Sequence, residues 1–296
     1  MPKNKLLPIL AITFTAVMWG LSFPSIKISV AEMPPMTLAL ARFLLASVVL
    51  VLFLRWMEPS TRLDRKDMPL MALAGFIGVT AYFFFENHGV NLTTASAASM
   101  IIGIIPILTL VADYLFCGNK LSPLKIVSVI LSTLGIYLVV AVNQDLSGSS
   151  LWGNLLMLGA SLSWVVYTLV TRPLGQRYSQ LAVVTYQTLF GTVSIVPFAL
   201  LETGSWQPVS GVVWLNVIFL GLFCSALGYY LYVYAMKGLG VSAVSMFINL
   251  IPVVAVAGGY FLLQETVTLT QVLGGVVIIV AVYLATWQPK KAVAEG

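Results

Sequence analysis

The sequence predicts an all-α membrane protein: ten transmembrane helices forming two inverted five-helix repeats around a central cavity. Three observations predict it. The composition is strongly apolar, ten apolar stretches follow one another with little between them, and the chain resembles itself at a shift of about half its length.

Hydrophobic residues fill 59% of the 296 positions and charged residues only 8%. A soluble domain carries roughly 25% charge, so polar groups cannot cover this surface and lipid must be the solvent. Cys117 and Cys224 lie in apolar runs and read as buried thiols. A single histidine, His88, excludes a multi-histidine metal centre. No cofactor is expected. The net charge of +5 is modest and implies no nucleic-acid partner.

A span of the ~30 Å hydrocarbon core needs roughly 20 residues. Such segments fall at about 6–29, 35–57, 69–90, 95–117, 123–143, 151–171, 181–201, 211–235, 241–263 and 268–287. The longest polar connection is Arg55–Asp67, too short for a soluble module, and no GxxxxGK[ST] loop is present. A cleaved leader is the alternative for the first segment, but its apolar run is long for one, and cleavage would remove a member of the repeat.

Thirteen of the fifteen basic residues lie at segment ends or in connections that fall on one side of a ten-span chain. The opposite connections carry Glu32, Asp145, Glu202 and Glu265 and no Lys or Arg. The positive-inside rule then puts both termini in the cytoplasm of a multi-pass cell-membrane protein.

At a shift of 146, SAASMIIGIIP (96–106) meets SAVSMFINLIP (242–252) without a gap; at 145, Trp19 meets Trp164 and Lys27 meets Arg172. The halves are residues 1–146 and 147–296. An odd number of helices per half makes the second copy enter the membrane from the other side. Inverted repeats are a recurring plan of secondary transporters, with the substrate site near mid-membrane between them.

Trp19-Gly20 with Phe23 and Lys27, the stretch ENHGVNLTTASAASMIIGIIPILT (86–109) and its counterpart YVYAMKGLGVSAVSMFINLIPVVAVAGGYFLLQE (232–265) resemble the EamA family of the drug/metabolite transporter superfamily. The resemblance covers essentially the whole chain. It implies a central cavity lined by helices one, three, four, six, eight and nine, and export of metabolites, amino acids or toxic organic compounds. It implies no particular substrate. The acidic residue usual after the ninth helix is present as Glu265, whereas the first half has Asn119.

Ionisable groups inside a span cost about 2.5–3.5 kcal/mol on insertion scales and call for a functional reading beside a structural one. Glu86 shares a helix face with Gly75, Val79, Tyr82 and Gly89. It is a candidate proton carrier, or one half of a static pair with Arg42 or Lys27. Arg42, whose counterpart is Gln187, either holds a substrate carboxylate or locks its helix against Glu86. Lys27 and His88 complete the coupling or gating candidates, His88 also reading as a solvated interfacial residue. Asp113 reads as structural, in reach of Lys120 or Lys125. Trp19, Phe23, Trp164, Thr168, Tyr82, Tyr229 and Tyr232 form faces that suit amphipathic molecules, apolar amino acids and cations if they converge; membrane-interface aromatics are the alternative. Ser99 and Asn249 belong to the small and polar faces of helices four and nine, where close helix packing is the default.

The function expected is secondary transport of a small organic solute, outward and driven by a proton gradient or by the solute's own. Uptake or facilitated exchange on the same scaffold is the alternative. Lipid, substrate and protons are the partners, with one or two copies of the chain. HExxH, GxSxG and paired buried aspartates, which an intramembrane enzyme would need, are missing, as is a channel's filter or charged ring.

Overall fold

The computed structural model describes residues 6–117, 123–140, 150–239, 247 and 250–286. Among these, every regular element is helical. Seven helices are long and apolar enough to cross a membrane, and three apolar ones are shorter. In chain order they are α1 (Leu6–Val30), α2 (Pro35–Met57), α3 (Arg65–Leu92), α4 (Ala95–Ile102 continued by Ile105–Cys117) and α5 (Pro123–Val140). Then come α6 (Leu151–Gly175), α7 (Gln180–Leu201), α8 (Gly211–Ile218, Phe219–Leu227 and Gly228–Leu239), α9 (Leu250–Leu263) and α10 (Leu269–Thr286). The segment expected from 241 onward begins outside the described residues, as do Ser242, Ser245 and Asn249.

Hydrocarbon offers backbone groups no hydrogen bonds, which is why apolar runs of this length become helices. Three helix starts have the side-chain cap their sequences suggest. Thr94 accepts from Ala97 N at 3.1 Å, Ser179 from Ala182 N at 3.0 Å and Ser210 from Val213 N at 3.4 Å. Buried hydroxyls mostly return to the carbonyl four residues back, as with Thr15 to Ala11 and Thr185 to Leu181.

Three irregularities depart from uniform spans. The break in α4 falls at Gly103 and Ile104, before Pro106, which has no N–H to give to Ile102 and disfavours helical backbone at the residue before it. The other two are π-helical segments, Phe76–Ala81 in α3 and Phe219–Leu227 in α8. Shifted by 145 residues, the first falls inside the second. No composition or period marked them.

Helix contacts are exchanged between halves. Swapping α1 with α6, α2 with α7, and so on, converts α1·α8 into α6·α3, α1·α9 into α6·α4 and α2·α8 into α7·α3, all of them observed. The pairs α2·α7 and α5·α10 map onto themselves. At the α2·α7 crossing Ser47 Oγ lies 2.9 Å from Thr192 Oγ1, its own counterpart 145 residues on.

Charged caps tie the halves together at both ends. Glu202, after α7, accepts from Met36 N at 3.0 Å and from Thr37 N and Oγ1 at 2.7 and 2.9 Å, capping the start of α2. Glu32 accepts from Ser210 N and Oγ at 2.7 and 3.0 Å, at the start of α8. Glu265 accepts from Ala95 N, Ser96 N and Ser96 Oγ at 2.7, 3.0 and 2.7 Å, at the start of α4. Each puts a negative charge on the positive end of a helix dipole. At the opposite end Glu58, after α2, accepts from Ser179 Oγ, and Asp67 pairs with Arg177 and accepts from Tyr178 Oη at 2.8 Å.

Removing such a cap costs about 1–2 kcal/mol. Glu202→Ala, which loses three hydrogen bonds and the dipole interaction, is therefore expected to lower the thermal midpoint of the detergent-solubilised protein measurably. An unchanged midpoint would show that the α7–α2 cap contributes nothing to stability.

Candidate functional site

Two helix pairs, α1·α8 and α6·α3, build the site around the π segments. A π turn shifts the register of the backbone ladder, as where Tyr82 N donates to Ile77 O, five residues back. In α8 the Cys224 carbonyl accepts from Trp19 Nε1 at 2.9 Å. In α3 the Ile77 carbonyl accepts from Ser163 Oγ at 2.8 Å, and Trp164 is the next residue. Each half thus inserts its own side chain into the other half's irregular helix, and each insertion points a tryptophan at the same region. Gly228 makes room for Trp19, and Gly78 for Tyr167. A Cβ at Gly228 would lie 2.9 Å from Trp19 Nε1, and one at Gly78 would overlap the Tyr167 ring.

The aromatics then form one connected group. Trp19 lies 5.4 Å from both Tyr229 and Tyr232, Trp164 lies 5.2 Å from Tyr82 and from Tyr167, and Trp164 and Tyr229 are 6.4 Å apart. These are edge and tilted contacts of the kind aromatic pairs prefer. Two charged side chains stand beside them. Glu86, 5% exposed, accepts from Tyr82 Oη at 2.8 Å. Arg42, 3% exposed, donates from Nε and Nη2 to Ser225 Oγ at 3.2 and 2.9 Å, with its guanidinium over the rings of Phe83 and Phe43 at 4.6 and 5.3 Å.

A cavity of about 120 Å³ reaches this group from the end of the bundle where α2 finishes and α7 starts. Its walls are Leu50, Met57, Glu58, Gln180, Leu181, Val184, Tyr229, Tyr230 and Tyr234. A narrower gap shares Val184 and Tyr229 with it and continues past Phe43, Tyr167 and Gln187.

The structure brings together Trp19, Tyr82, Trp164, Tyr229, Tyr232, Glu86 and Arg42. It places the other candidates elsewhere. Lys27 Nζ donates to the carbonyls of Val90, Asn91 and Thr93 at 3.0, 2.8 and 2.6 Å, closing the end of α3 as a cationic cap. His88 donates from Nδ1 to Phe84 O at 2.8 Å and lies tilted against the Phe84 ring. Phe23 is buried in the general core. Ser99, fully buried, donates to Ser96 O at 2.8 Å. Thr168 is exposed and donates to Trp164 O at 2.8 Å. The expected static pair of Glu86 with Arg42 or Lys27 is not formed: among the described residues neither cation lies within 4.0 Å of that carboxylate. The side chain of Asp113 and residue Lys120 lie outside what is described.

Sequence reasoning missed Tyr167, Ser225, Phe83 and the Cys224 carbonyl. Tyr167 had a usable signal, since it follows Trp164 by three residues and shares its face. Ser225 and the carbonyl had none, because their roles come from the π segment.

With this geometry in hand, similarity to known proteins is informative. The EamA-like transporter family matches the chain twice, over residues 6–141 and 151–287. An uncharacterized transporter of Archaeoglobus fulgidus is 27% identical over 93% of this chain and 97% of its own length. A probable terminal-alkyne amino-acid exporter of Streptantibioticus cattleyicolor is 29% identical over 93% of this chain and 91% of its own. A crystal structure sharing 19% identity superimposes with a TM-score of 0.67 over 93% of this chain and 96% of the other, which shows a common fold. A double family match across nearly the whole chain, on a two-part helical architecture with span-length helices, makes this a multi-pass membrane protein of the EamA-like transporter family.

Proposed function

We propose that the chain is a secondary active transporter that exports small amphipathic organic solutes, amino acids with apolar side chains among them, by alternating access. The observation that carries this reading is the aromatic cluster where α1, α3, α6 and α8 meet, built from residues of both halves, flanked by one buried carboxylate and one buried guanidinium, and reached at Tyr229 by the cavity. Apolar walls with a few placed polar groups are the usual make-up of a small-molecule site. The relative named as a probable amino-acid exporter supports the solute class.

The proposed architecture is ten spans in two inverted halves, residues 1–146 and 147–296, with both termini in the cytoplasm. Antiparallel α2 and α7 support the inversion. These are counterparts in the repeat, yet the end of each is bonded to the start of the other, through Glu202 to Thr37 and through Glu58 to Ser179. Two similar units in opposite orientation can exchange conformations and so open one site to either side. Basic connections on one side and acidic ones on the other support the orientation. On it, the 120 Å³ cavity opens from the cytoplasmic half, as an exporter waiting for its solute requires.

Glu86 is the proposed proton carrier. It can carry a proton because it is bonded by one phenol rather than locked to a cation. A proton taken up from outside would let the emptied site turn inward, and release of the proton inside would reset it.

Glu86→Gln is expected to abolish pH-driven flux in proteoliposomes while leaving solute binding in detergent within about threefold. A pH dependence equal to that of the unaltered protein removes Glu86 from coupling. Variants keeping only Trp19 or only Trp164 should show quenched fluorescence when a transported solute binds; no change with a solute of demonstrated binding takes that ring out of the chamber. Reporters active only in the cytoplasm should work at both termini, and one failing at either end overturns the orientation.

A further inference from the structure

We propose that Arg42 is the carboxylate anchor of the chamber, so that the solutes bound there are monocarboxylates with an apolar body. This rests on the chamber being a solute site, and deepens it to a named recognition group.

The argument starts from the geometry of the guanidinium. Its five N–H groups make two forks that each fit a pair of acceptor lone pairs, one from Nε and Nη2 and the other from Nη1 and Nη2. Ser225 Oγ occupies the first fork alone, at 3.2 and 2.9 Å. The second is unused: Nη1 is buried and has no hydrogen-bond partner. Among the described residues no carboxylate lies within 4.0 Å of it. Phe83 and Phe43 pack on one side of the guanidinium, their centroids 4.6 and 5.3 Å from its Cζ and 4.6 Å from each other.

A buried, unpaired cation is one of the most expensive arrangements a protein interior can hold. Ser225 supplies dipole and position but no charge. Glu86 is already bonded to Tyr82. The group is therefore held in a preset orientation with a spare fork, beside Phe43, which lines the narrower gap. A carboxylate is the planar monoanion that such a fork binds bidentately. A dianion would bring an uncompensated charge among aromatic rings. The body attached to the carboxylate would lie along the Tyr82, Trp164 and Tyr229 rings, which supply apolar contact and no further cation. At the repeat-related position Gln187 is neutral and already bonded to Tyr167 and Thr171, at 2.8 and 2.9 Å. The repeat therefore gives the chamber one anchor and a polarity.

The test uses the full chain purified in detergent, with thermal unfolding and tryptophan fluorescence as readouts, since a ligand that binds the folded state raises its midpoint. The probes are 3-phenylpropionate, its neutral amide 3-phenylpropanamide, indole-3-propionate and sodium chloride. The unaltered protein should bind at least one of the two carboxylates, and phenylpropionate at least tenfold more tightly than the amide. Arg42→Gln should lose at least tenfold in carboxylate affinity and leave amide affinity unchanged. Arg42→Lys, which keeps the charge and loses the fork, should fall between. Ser225→Ala loosens the guanidinium without removing it and should weaken only the carboxylates; it decides the matter if Arg42→Gln does not fold. Equal binding of acid and amide, or discrimination that survives Arg42→Gln, overturns the proposal. So does failure of both carboxylates to bind. Chloride that reproduces the stabilisation and displaces phenylpropionate makes Arg42 a site for a simple counter-ion instead. Binding is read without flux, so a chain shown not to pump could still pass this test, and a proven pump could fail it.

Discussion

The constraint on which this structure depends is the absence of water around its backbone. Inside hydrocarbon a carbonyl released from its helical partner must find another donor within the protein. In the π segments in the middle of α3 and α8, the Ile77 and Cys224 carbonyls accept from the opposite halves, from Ser163 Oγ and Trp19 Nε1. That exchange fixes which helices meet, and it brings both tryptophans to one place. The aromatic cluster thus forms where side chains of each half bond to the backbone of the other.

The same accounting governs the ends of the helices. A membrane helix that finishes near the interface exposes unpaired N–H and C=O groups. Here Glu32, Glu202 and Glu265 take the N–H groups of helices α8, α2 and α4, and Lys27 takes the carbonyls at the end of α3. Each cap reaches between elements distant in sequence, so capping and assembly are one event. Helices in lipid gain little from apolar contact alone, because lipid is equally apolar. Polar caps at the rim and tight packing inside therefore carry much of the specificity of the arrangement.

The halves are alike in scaffold and unlike in charge. Contacts exchange under the swap of halves, down to Ser47 meeting Thr192 at the crossing of α2 and α7. Yet Arg42 stands against Gln187, and Glu86 against Tyr232. Scaffold symmetry would serve the exchange between two accessible states. Charge asymmetry places both buried charges beside the aromatic cluster, Arg42 and Glu86, on helices of the first half.

The sequence by itself determined the solvent, the class, the approximate spans and the register of the repeat. Each of these follows from composition or from residue spacing summed over many positions, where single errors cancel. It also marked Trp19, Tyr82, Glu86, Trp164 and Tyr229, because a polar or large aromatic residue recurring on one helix face is visible without coordinates. It could not say which of the equivalent faces turn inward. His88 reads in sequence as a coupling or gating candidate beside Glu86, yet it lies tilted against Phe84 and donates to its own helix, and Lys27 is spent on the end of α3. The π segments were invisible because a one-residue change in backbone register leaves composition and apolar content untouched. Only the tertiary structure decided that Arg42 meets Ser225 rather than Glu86. That choice depends on how α2 and α8 are rotated against each other, a property of packing between distant segments and of no local stretch of chain.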